Sequence, residues 1–343
     1  MIEDETTVTP LPLMEITSGV YAFKVLAFAD KVGLFIRLSG GGSTTVDDFA
    51  QWQGIQHRPA ELVLTACAAL GLLSRESDGG YRNTALSEQY LVEGKPGYFG
   101  AWVKVVDRHE YPAYQRFEDS VRGNHPTTWD PEKQESLFDP DDAVMVETFW
   151  NGMNSASAYG AARLAEAVDF SPTTRLLDVG GGGAAFAIAL CRRYPRLHVT
   201  VFDLPFVCDL TREPVEKADL ADRIGFVGGD FFADALPPDH DALLLSNVLH
   251  DWKEADVRRI LDVCARALPS GGTLLVCESF VDDDKTGPPL AALMSLNMLV
   301  ETWGRNYTVA EYSQWIHDVG LTVTGVERFA APAANGVLIA RKS

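Results

Sequence analysis

Apolar residues recur at helical spacing through the first part of the chain. Three segments between Gly19 and Leu91 carry this pattern: YAFKVLAFADKVGLF, TTVDDFAQWQGI and RPAELVLTACAALGLLSRE. Such spacing predicts amphipathic helices. The turn-forming run SDGGYRNT then lies between two short strand-like stretches. Helices followed by a two-stranded wing predict a mainly helical, winged-helix-like domain over residues 1–100.

The next segment, residues 101–165, is rich in aromatic side chains and is interrupted by turns such as RGNHPTTWDPEK. No strand-like alternation continues through it, and apolar residues again recur at helical spacing towards its end. We therefore expect a helical connecting segment that contributes aromatic side chains to a substrate pocket.

Beyond this segment, short apolar runs alternate with amphipathic stretches. The runs RLLDVG, HVTVFDL, IGFVGGD, DALLLSNVL and TLLVCES predict strands, and FAIALCRRY, VEKADLADR and ADVRRILDVCARAL predict helices between them. Two further helices, over Pro289 to Thr302 and at AEYSQWIHDVG, precede the late strands LTVTGVERF and NGVLIARK. Such alternation predicts an α/β fold over residues 166–343, with a Rossmann-like, doubly wound parallel sheet and an antiparallel edge strand.

The stretch RLLDVGGGGAAFAIAL places four consecutive glycines between a strand and a helix. Gly180, Gly182 and Ala185 fit the pattern G-x-G-x-x-A of a nucleotide-binding βαβ unit. In a dinucleotide site the pyrophosphate lies on the helix N-terminus, where Asp178 at the end of the strand would repel it. The aspartate favours a cationic, phosphate-free cofactor. S-adenosyl-L-methionine has an ammonium, a sulfonium and an adenosine, but no phosphate.

Two more strands also end in acidic residues. Asp203, followed by Leu204 in VFDLP, ends the second strand, where a carboxylate binds ribose hydroxyls in either class of cofactor. Asp230 and Phe231 in GGDFF end the third strand and offer an acceptor and an aromatic face to an adenine ring. Each acid alone also fits a helix N-cap. Three acids at the ends of three successive strands favour the cofactor site.

The fourth strand is followed by His250 and Asp251 in VLHDW, at the edge where open α/β sheets bind ligands. A neutral imidazole there has the basicity to remove the proton from a phenol or a similar hydroxyl. The fifth strand ends in TLLVCES, so we expect Glu278 to hold the second ring nitrogen of His250. In-line methyl transfer needs little beyond alignment of the reactants and removal of that proton.

Composition narrows the class of protein. A net charge of −19 disfavours nucleic-acid binding, and residues 1–150 are acidic as well, which argues against a DNA-binding winged helix. The five cysteines lie in apolar segments and predict reduced core thiols rather than a disulfide frame or a metal site. No run of about 18 apolar residues is present, and the acidic MIEDETTVTPLPLM is unlike a signal peptide. We expect a cytoplasmic protein that binds no membrane.

Several of these motifs occur together in one known family. The motifs are ACAALGLL…YRNT, LLDVGGGG, VFDLP, GGDFF, VLHDW and SLNMLVET…GRNYTVAEY. From about Val20 to Lys342 the chain resembles the class I S-adenosylmethionine-dependent O-methyltransferases of small molecules. That family includes acetylserotonin, plant caffeate and flavonoid, and bacterial natural-product methyltransferases. The resemblance implies a homodimer formed through the N-terminal domain and methyl transfer to a hydroxyl of a small, secondary-metabolite-like aromatic. It implies S-adenosyl-L-homocysteine as the other product, and no metal.

The resemblance also implies roles for residues at matching positions. His250 is implied as the general base, with Asp251 and Glu278 in support. Together with the strand-end analysis, it gives a cofactor-binding set of Asp178, Gly180, Gly182, Asp203, Leu204, Asp230, Phe231, Ser246, Trp252 and Ser157. The substrate-binding set is Met153, Asn297, Asn306, Trp303 and Met298, of which the methionines and Trp303 fit simple core packing as well.

Two positions depart from the family pattern. Ala184 occupies a loop position that is usually glycine, so we expect the turn to lie farther from the cofactor or the backbone to keep a negative φ. Asn306 in GRNYT stands where a second catalytic glutamate is usual, and an amide does not stabilise an imidazolium by charge. Orientation of His250 would then rest on Glu278. This keeps C-methylation of an electron-rich aromatic or a 2-oxo acid open.

Two rival functions also stay open. An NAD-dependent oxidoreductase fits the glycine loop but not Asp178, and a protein that binds the cofactor without catalysis would share the whole cofactor site. Arg108, His109 and Arg305 are the cations available to a substrate carboxylate, if the substrate has one.

Overall fold

The structure is a computed structural model that describes residues 8–134, 137 and 143–343. By its internal contacts the chain divides into two compact units, Met1–Asp107 and Arg108–Ser343. The acidic stretch at positions 1–7 lies outside the described residues. The three-part division expected from the sequence, with a connecting segment over residues 101–165, stays a prediction.

The first unit is mainly helical and contains a small antiparallel sheet. Thr45 begins a helix with a capping box, because its hydroxyl accepts from the Asp48 N–H while the Asp48 carboxylate accepts from the Thr45 N–H. The buried rings of Phe35 and Phe49 anchor the core. The elements are α1 (Leu11–Lys31), α2 (Leu34–Arg37), α3 (Val46–Gln53), α4 (His57–Ala69), β1 (Leu73–Arg75), β2 (Tyr81–Asn83), α5 (Ala85–Tyr90) and α6 (Gly100–Val105).

A π-helical turn, Val106–Glu110, follows α6. A 3₁₀ turn, Leu249–Asp251, follows the strand Ala242–Ser246 of the second unit. The remaining elements belong to the second unit. They are α7 (Tyr111–Tyr114), α8 (Phe117–Gly123), α9 (Ala143–Ala167), β3 (Arg175–Val179), α10 (Ala185–Arg193), β4 (His198–Asp203), α11 (Pro205–Lys217), β5 (Ile224–Gly228), β6 (Ala242–Ser246), α12 (Glu254–Ala267), β7 (Thr273–Glu278), α13 (Pro289–Glu301), α14 (Val309–Asp318), β8 (Leu321–Arg328) and β9 (Gly336–Lys342).

The strands of the second unit form one sheet with the order β5-β4-β3-β6-β7-β9-β8. Strands β3 to β7 pair in parallel, and β9 runs antiparallel to both β7 and β8. Because the strand order reverses between β3 and β6, the carboxyl ends of these strands flank a crevice of the kind that binds ligands. The Rossmann-like, doubly wound class with an antiparallel edge is confirmed, as is the helical winged-helix-like domain before it.

One helix begins earlier than its sequence pattern predicts. The pattern favours a helix at VEKADLADR, but α11 starts at Pro205 and ends at Lys217. Proline at the first helical position loses no hydrogen bond. The chain turns beyond Lys217, where Asp219 has a φ of 57°. The early start places the helix directly after Asp203.

Helix α1 combines high hydropathy with wide exposure. Within the described part of the chain it is the one helix long and apolar enough to cross a membrane by length and composition. The mean hydropathy of its most apolar window is 1.3, and 6% of that window is buried. This helix is not an unbroken apolar run, because Glu15, Lys24 and Asp30 interrupt it, which agrees with the expectation that the chain has no run of about 18 apolar residues. The exposed apolar side chains include Leu11, Leu13, Met14 and Ile16.

Candidate active site

The glycine loop after β3 leaves no space for side chains. Gly180 and Gly182 have φ values of 70° and 50°, in the left-handed region that favours glycine. A Cβ on Gly180 would lie 2.7 Å from a methyl carbon of Val248, and one on Gly183 would lie 2.8 Å from the side chain of Asn154. The loop backbone is therefore wedged between the end of β6 and helix α9, where it forms one wall of the crevice.

Ala184 precedes α10 with φ 59° and ψ 24°. The expectation of a negative φ is wrong, because alanine here takes the conformation that glycine takes in related loops. A Cβ in the left-handed region costs about 1–2 kcal/mol. The methyl group is fully buried in the core behind α10, and this burial offsets part of the cost.

Asp203 holds the loop in place from the end of β4. Its Oδ2 accepts from the Gly182 N–H at 2.8 Å, and its Oδ1 accepts from the Leu204 N–H at 2.7 Å. Burial raises the pKa of Asp203 to about 6, although both hydrogen bonds lower it. Each carboxylate oxygen retains a further lone pair, so the same group is able to accept from two ribose hydroxyls.

Asp178 lies beneath the loop, and its carboxylate has no accessible surface. A Cβ on Gly181 would lie 2.8 Å from its Oδ2. Neither carboxylate oxygen accepts a hydrogen bond from any residue that the structure describes. Burial, reinforced by the charge of Asp203, raises the pKa of Asp178 to about 7. An unpartnered buried carboxylate costs free energy unless positive charge lies near it.

Two amide oxygens near the loop also have no hydrogen-bond partner among the described residues. They are Asn154 Oδ1 in α9 and Asn247 Oδ1 after β6. The Nδ2 group of Asn247 donates to Ser157 Oγ at 3.3 Å, which brings the predicted Ser157 into this group. With Asp178, these oxygens form a group of buried acceptors around the glycine loop. Such surroundings favour a ligand with N–H donors and positive charge, such as the ammonium of S-adenosylmethionine, and disfavour a pyrophosphate.

Three aromatic rings cluster at the end of β5. Phe231 and Phe232 lie 4.7 Å apart, and Trp252 meets them edge to face at 5.7 Å and 4.7 Å. Asp230 Oδ1 accepts from the Phe232 N–H at 2.8 Å, so part of its role is to cap this turn. The structure thus brings Phe231 and Trp252 together beside Asp230, and these rings offer an apolar wall for an adenine.

His250 and Glu278 form a closely bonded pair across the ends of β6 and β7. His250 Nδ1 lies 2.6 Å from Glu278 Oε2, while Glu278 Oε1 accepts from the N–H groups of Val248 and Leu249 at 3.0 Å and 2.8 Å. An ionised carboxylate only accepts, so the proton of the neutral ring lies on Nδ1 and Nε2 is left with a free lone pair. Glu278 is 1% exposed, so its carboxylate lies in the protein interior.

Asp251 faces the other ring nitrogen of His250, with Oδ1 3.6 Å from Nε2. Burial alone lowers the pKa of His250, but the charges of Glu278 and Asp251 outweigh it and raise that pKa to about 9. Burial also raises the pKa of Asp251 to about 7, and the negative charges of Glu278 and Glu301 contribute to this increase. The imidazolium is therefore favoured in the unliganded site.

The predicted substrate-binding residues occupy different surroundings. Asn297 is buried in α13, where its Nδ2 donates to Glu110 Oε1 at 3.0 Å and its Oδ1 accepts from the Tyr114 hydroxyl at 2.9 Å. Met298 is buried, and Trp303 is half exposed and edge-on to Trp129. Met153 lies partly buried in α9, and Ser246 is buried at the end of β6.

Asn306 forms hydrogen bonds that hold two segments of the fold together. Its Nδ2 donates to the Ala291 carbonyl oxygen at 2.9 Å, and its backbone N–H donates to Ser295 Oγ at 3.1 Å. These bonds tie the segment after α13 back onto that helix. Arg305 is likewise engaged, because it pairs with Glu311 at 2.9 Å and lies over the ring of Tyr307.

A second histidine–glutamate pair lies in the same unit. His109, in the π-helical turn, has its Nε2 3.7 Å from Glu301 Oε2 at the end of α13, and both side chains are more than nine-tenths buried. Sequence reasoning missed Glu301, Asn154 and Asn247. No motif marks an acidic or amide side chain in the interior of an apolar helix or in a turn.

Comparisons with known proteins identify the family of the chain. The O-methyltransferase domain profile matches residues 114–322, and the O-methyltransferase dimerisation domain profile matches residues 14–93. The chain is 47% identical to the 3-hydroxy-5-methyl-1-naphthoate 3-O-methyltransferase of Streptomyces sahachiroi, over 97% of this chain and 96% of the relative. It is 32% identical to the tetracenomycin polyketide synthesis 8-O-methyl transferase of Streptomyces glaucescens, over 97% of each chain.

A solved structure shows the same architecture. Human N-acetylserotonin methyltransferase in complex with SAM superimposes with a TM-score of 0.87 at 29% identity, covering 99% of each chain. The fold and the matched domains thus define a class I methyltransferase with an N-terminal dimerisation domain. The chain belongs to the O-methyltransferase family and is an O-methyltransferase; enzymes of this family use S-adenosylmethionine.

Proposed function

We propose that the acceptor-rich crevice around the glycine loop holds S-adenosyl-L-methionine. The unpartnered oxygens of Asp178, Asn154 and Asn247 support this, because they suit an ammonium and no donor of the described residues satisfies them. Asp203 takes the ribose hydroxyls, and the rings of Phe231 and Trp252 enclose the adenine. When bound, the cofactor supplies an electrophilic methyl group. The sequence-based expectation of no metal stays a prediction.

His250 is the general base of this proposal. Its Nε2 is the nitrogen left with a free lone pair, and it lies at the carboxyl edge of the sheet beside the crevice. Removal of the proton from an aromatic hydroxyl gives a phenolate, which would be the stronger nucleophile towards the methyl group that the bound cofactor would supply. The proton goes to Nε2, where the charge of Asp251 stabilises the imidazolium.

Glu278 sets the tautomer on which this base depends. Its two oxygens serve two different sets of donors, the Nδ1–H of His250 on one side and two backbone N–H groups on the other. A neutral ring is therefore held with Nδ1 protonated and Nε2 facing the crevice. The close pair of His250 and Glu278 is the single observation that carries the assignment of the base.

The acceptor substrate is proposed to be a small aromatic with a phenolic hydroxyl, such as a naphthol. The relative named as a naphthoate 3-O-methyltransferase supports a fused aromatic substrate. The aromatic side chains of Phe149 and Trp150 add support, because they pack edge to face in α9 near the glycine loop. The matched family and the named relatives support methyl transfer to oxygen rather than to carbon.

A homodimer through the N-terminal domain fits the exposed apolar side chains of α1, of which Met14 and Ile16 lie within the matched dimerisation domain. A second copy of the chain would cover this surface, and a membrane is not needed to explain it. Ile16→Asp should shift the enzyme from dimer to monomer in light scattering. Leu210→Asp, on the exposed side of α11, is the matched control and should leave the mass unchanged. A cytoplasmic location remains a prediction.

The test of the base is a methyl-transfer assay with S-adenosyl-L-methionine and 2-naphthol. His250→Ala should lower kcat by about 10²–10⁴-fold, the usual contribution of a general base, while the affinity for S-adenosyl-L-homocysteine stays unchanged. His317→Ala, on the exposed face of α14, is the control and should retain full activity. Equal activity of wild type and His250→Ala would contradict the proposal. NMR of the product separates an O-methyl from a C-methyl group.

A further inference from the structure

The His109–Glu301 pair is buried but incomplete. The 3.7 Å between His109 Nε2 and Glu301 Oε2 is too long for a hydrogen bond. His109 Nε2 and Glu301 Oε1 have no hydrogen-bond partner anywhere in the described ranges. Because buried polar atoms in native proteins are nearly always hydrogen-bonded, this pair leaves one donor position and one acceptor position for a ligand group.

The pair is held in place by its surroundings. The Trp129 Nε1–H donates to the Glu301 carbonyl oxygen at 2.7 Å, which fixes the end of α13. On the other side, Asn297 donates to Glu110, the residue next to His109. His109 lies in a π-helical turn, a distortion that is frequent at functional sites.

A chain of contacts connects the pair with the proposed active site. The ring of His109 meets Phe149 edge to face at 6.2 Å, and Phe149 meets Trp150 at 5.6 Å. A Cβ on Gly182 of the cofactor loop would lie 3.2 Å from the ring of Trp150. On the opposite side, the charge of Glu301 acts on Asp251, the neighbour of His250. The pair is therefore linked through ring contacts to the glycine loop and through charge to the residue beside the proposed base.

Charge decides which ligand group fits. Burial lowers the pKa of His109, but Glu301 and Glu110 outweigh this effect and raise it, so a donor N–H on Nε2 is favoured. Burial, reinforced by the charge of Glu301, raises the pKa of Glu110 to about 8. A carboxylate on the substrate would face Glu301 and the nearby Asp251. A neutral hydroxyl meets no such repulsion.

We propose that His109 and Glu301 bind a second, neutral hydroxyl of the aromatic acceptor, in addition to the hydroxyl that is methylated. The O–H of this group donates to Glu301 Oε1, and its oxygen accepts from the His109 Nε2–H. The pair thereby selects polyhydroxylated aromatics over monohydroxylated ones and fixes which hydroxyl faces His250. This inference rests on the proposed function.

The experiment compares 2-naphthol with 1,3-, 1,6- and 2,7-dihydroxynaphthalene as acceptors. Wild type should prefer at least one diol. Glu301→Gln should lower kcat/KM for that diol by about 10–100-fold, mainly through KM, because a hydrogen bond to a charged group is lost. The loss of activity on 2-naphthol should be much smaller, because this acceptor has no second hydroxyl for Glu301 to bind. His109→Gln should repeat this selective loss, and Glu327→Gln, exposed on β8, is the control that should change neither activity.

Two results overturn the inference. The first is an equal loss on 2-naphthol and on the diols in Glu301→Gln, which indicates a purely structural role. The second is faster turnover of 3-hydroxy-2-naphthoate than of every diol by wild type. If no acceptor is methylated, the proposed function fails. The inference is then decided by fluorescence titration with the diols of the protein saturated with S-adenosyl-L-homocysteine. A diol Kd unchanged by Glu301→Gln then overturns it, whereas a selective weakening supports it.

Discussion

Two histidine–glutamate pairs lie in the same unit and differ in how their hydrogen bonds are satisfied. In the first, His250 and Glu278 are 2.6 Å apart, and the second oxygen of Glu278 accepts from two backbone N–H groups. In the second, His109 and Glu301 are 3.7 Å apart, and each retains a buried atom without a partner in the described chain. The first pair is complete before any ligand arrives, whereas the second needs a ligand group to complete it.

Burial of a charged pair therefore does not by itself identify the role of that pair. A fully bonded pair fixes a proton position and is suited to chemistry, because it needs no rearrangement during the reaction. An incomplete pair suits recognition, because an acceptor that lacks the matching group leaves two buried polar atoms unsatisfied. The same contrast separates Asp203, which is bonded to the glycine loop, from the unpartnered Asp178.

The largest expected effect follows from breaking the complete pair. A glutamine at position 278 has one acceptor oxygen, which the N–H groups of Val248 and Leu249 require. Its NH₂ group then faces His250 Nδ1, so the neutral ring must carry its proton on Nε2, where no lone pair is left for a base. We expect Glu278→Gln to lower kcat by about 10²–10⁴-fold, measured by release of S-adenosyl-L-homocysteine.

The incomplete pair supplies the contrast to this variant. Glu301→Gln should lower kcat with 2-naphthol far less than Glu278→Gln does, because Glu301 acts on Asp251 through its charge and forms no described hydrogen bond with His250. If both glutamine variants lose activity on 2-naphthol to the same extent, the division into a chemical and a recognition pair is wrong.

The contrast between the two aspartates predicts opposite effects on stability and binding. Asp178 has a pKa of about 7, above its usual 3.8, so the fold disfavours the ionised form. The free energy of unfolding of the ligand-free protein therefore falls as the pH rises between these values. At pH 8, Asp178→Asn should stabilise the ligand-free protein by about 1–3 kcal/mol. It should also weaken S-adenosyl-L-homocysteine binding by about 10-fold, as thermal shift assays and titration calorimetry would show.

Asp203→Asn is the matched comparison for Asp178→Asn. The asparagine has an NH₂ donor in place of one carboxylate oxygen. This NH₂ group faces the N–H of either Gly182 or Leu204, which is itself a donor and needs an acceptor. This variant should lose stability as well as cofactor affinity. A ligand-free Asp178→Asn protein that is also less stable than wild type at pH 8 would show that the Asp178 carboxylate is satisfied in solution.

The pH profile tests the charges around the complete pair. Nε2 of His250 acts as a base only when unprotonated, so kcat/KM should rise with pH through a pKa of about 9, well above the usual 6.5. Asp251→Asn removes one of the charges that raise this pKa. The rise should then move to lower pH. A profile that levels off below pH 7 in wild type would contradict the assignment.

The smallest expected effect concerns the left-handed Ala184. Ala184→Gly removes a Cβ from a φ of 59° but also a buried methyl group. These contributions oppose each other at about 1 kcal/mol each, so the net change in unfolding free energy should stay within about 1 kcal/mol. The affinity for S-adenosyl-L-homocysteine should change by less than about threefold. A larger gain in affinity would show that the methyl group holds the loop away from the cofactor.

Sequence patterns predicted those parts of the site that follow from strand topology. Asp178, Asp203, His250 and Glu278 all lie at strand ends, and the carboxyl ends of parallel strands share one edge. The homodimer and the roles in cofactor binding come from family resemblance, and the individual site residues stay predictions.

The remaining features depend on packing between elements far apart in sequence. His109 and Glu301 meet because a π-helical turn and the end of α13 are brought together, and no local periodicity specifies either. The positive φ of Ala184 and the hydrogen bonds of Asn306 to α13 are likewise not specified by the local sequence. A residue type shows which conformations and bonds are available, whereas the neighbours decide which are adopted.

The proposal that His250 is a base whose tautomer is set by Glu278 is tested most directly by the protonation state of the His250 ring. Nitrogen-15 NMR of histidine-labelled protein, with the signals assigned through His250→Ala, follows both ring nitrogens from pH 6 to 10. In wild type the ring should lose its proton from Nε2 and keep that on Nδ1, whereas in Glu278→Gln the neutral ring should carry its proton on Nε2. A wild-type ring that keeps its proton on Nε2 at high pH would contradict the account.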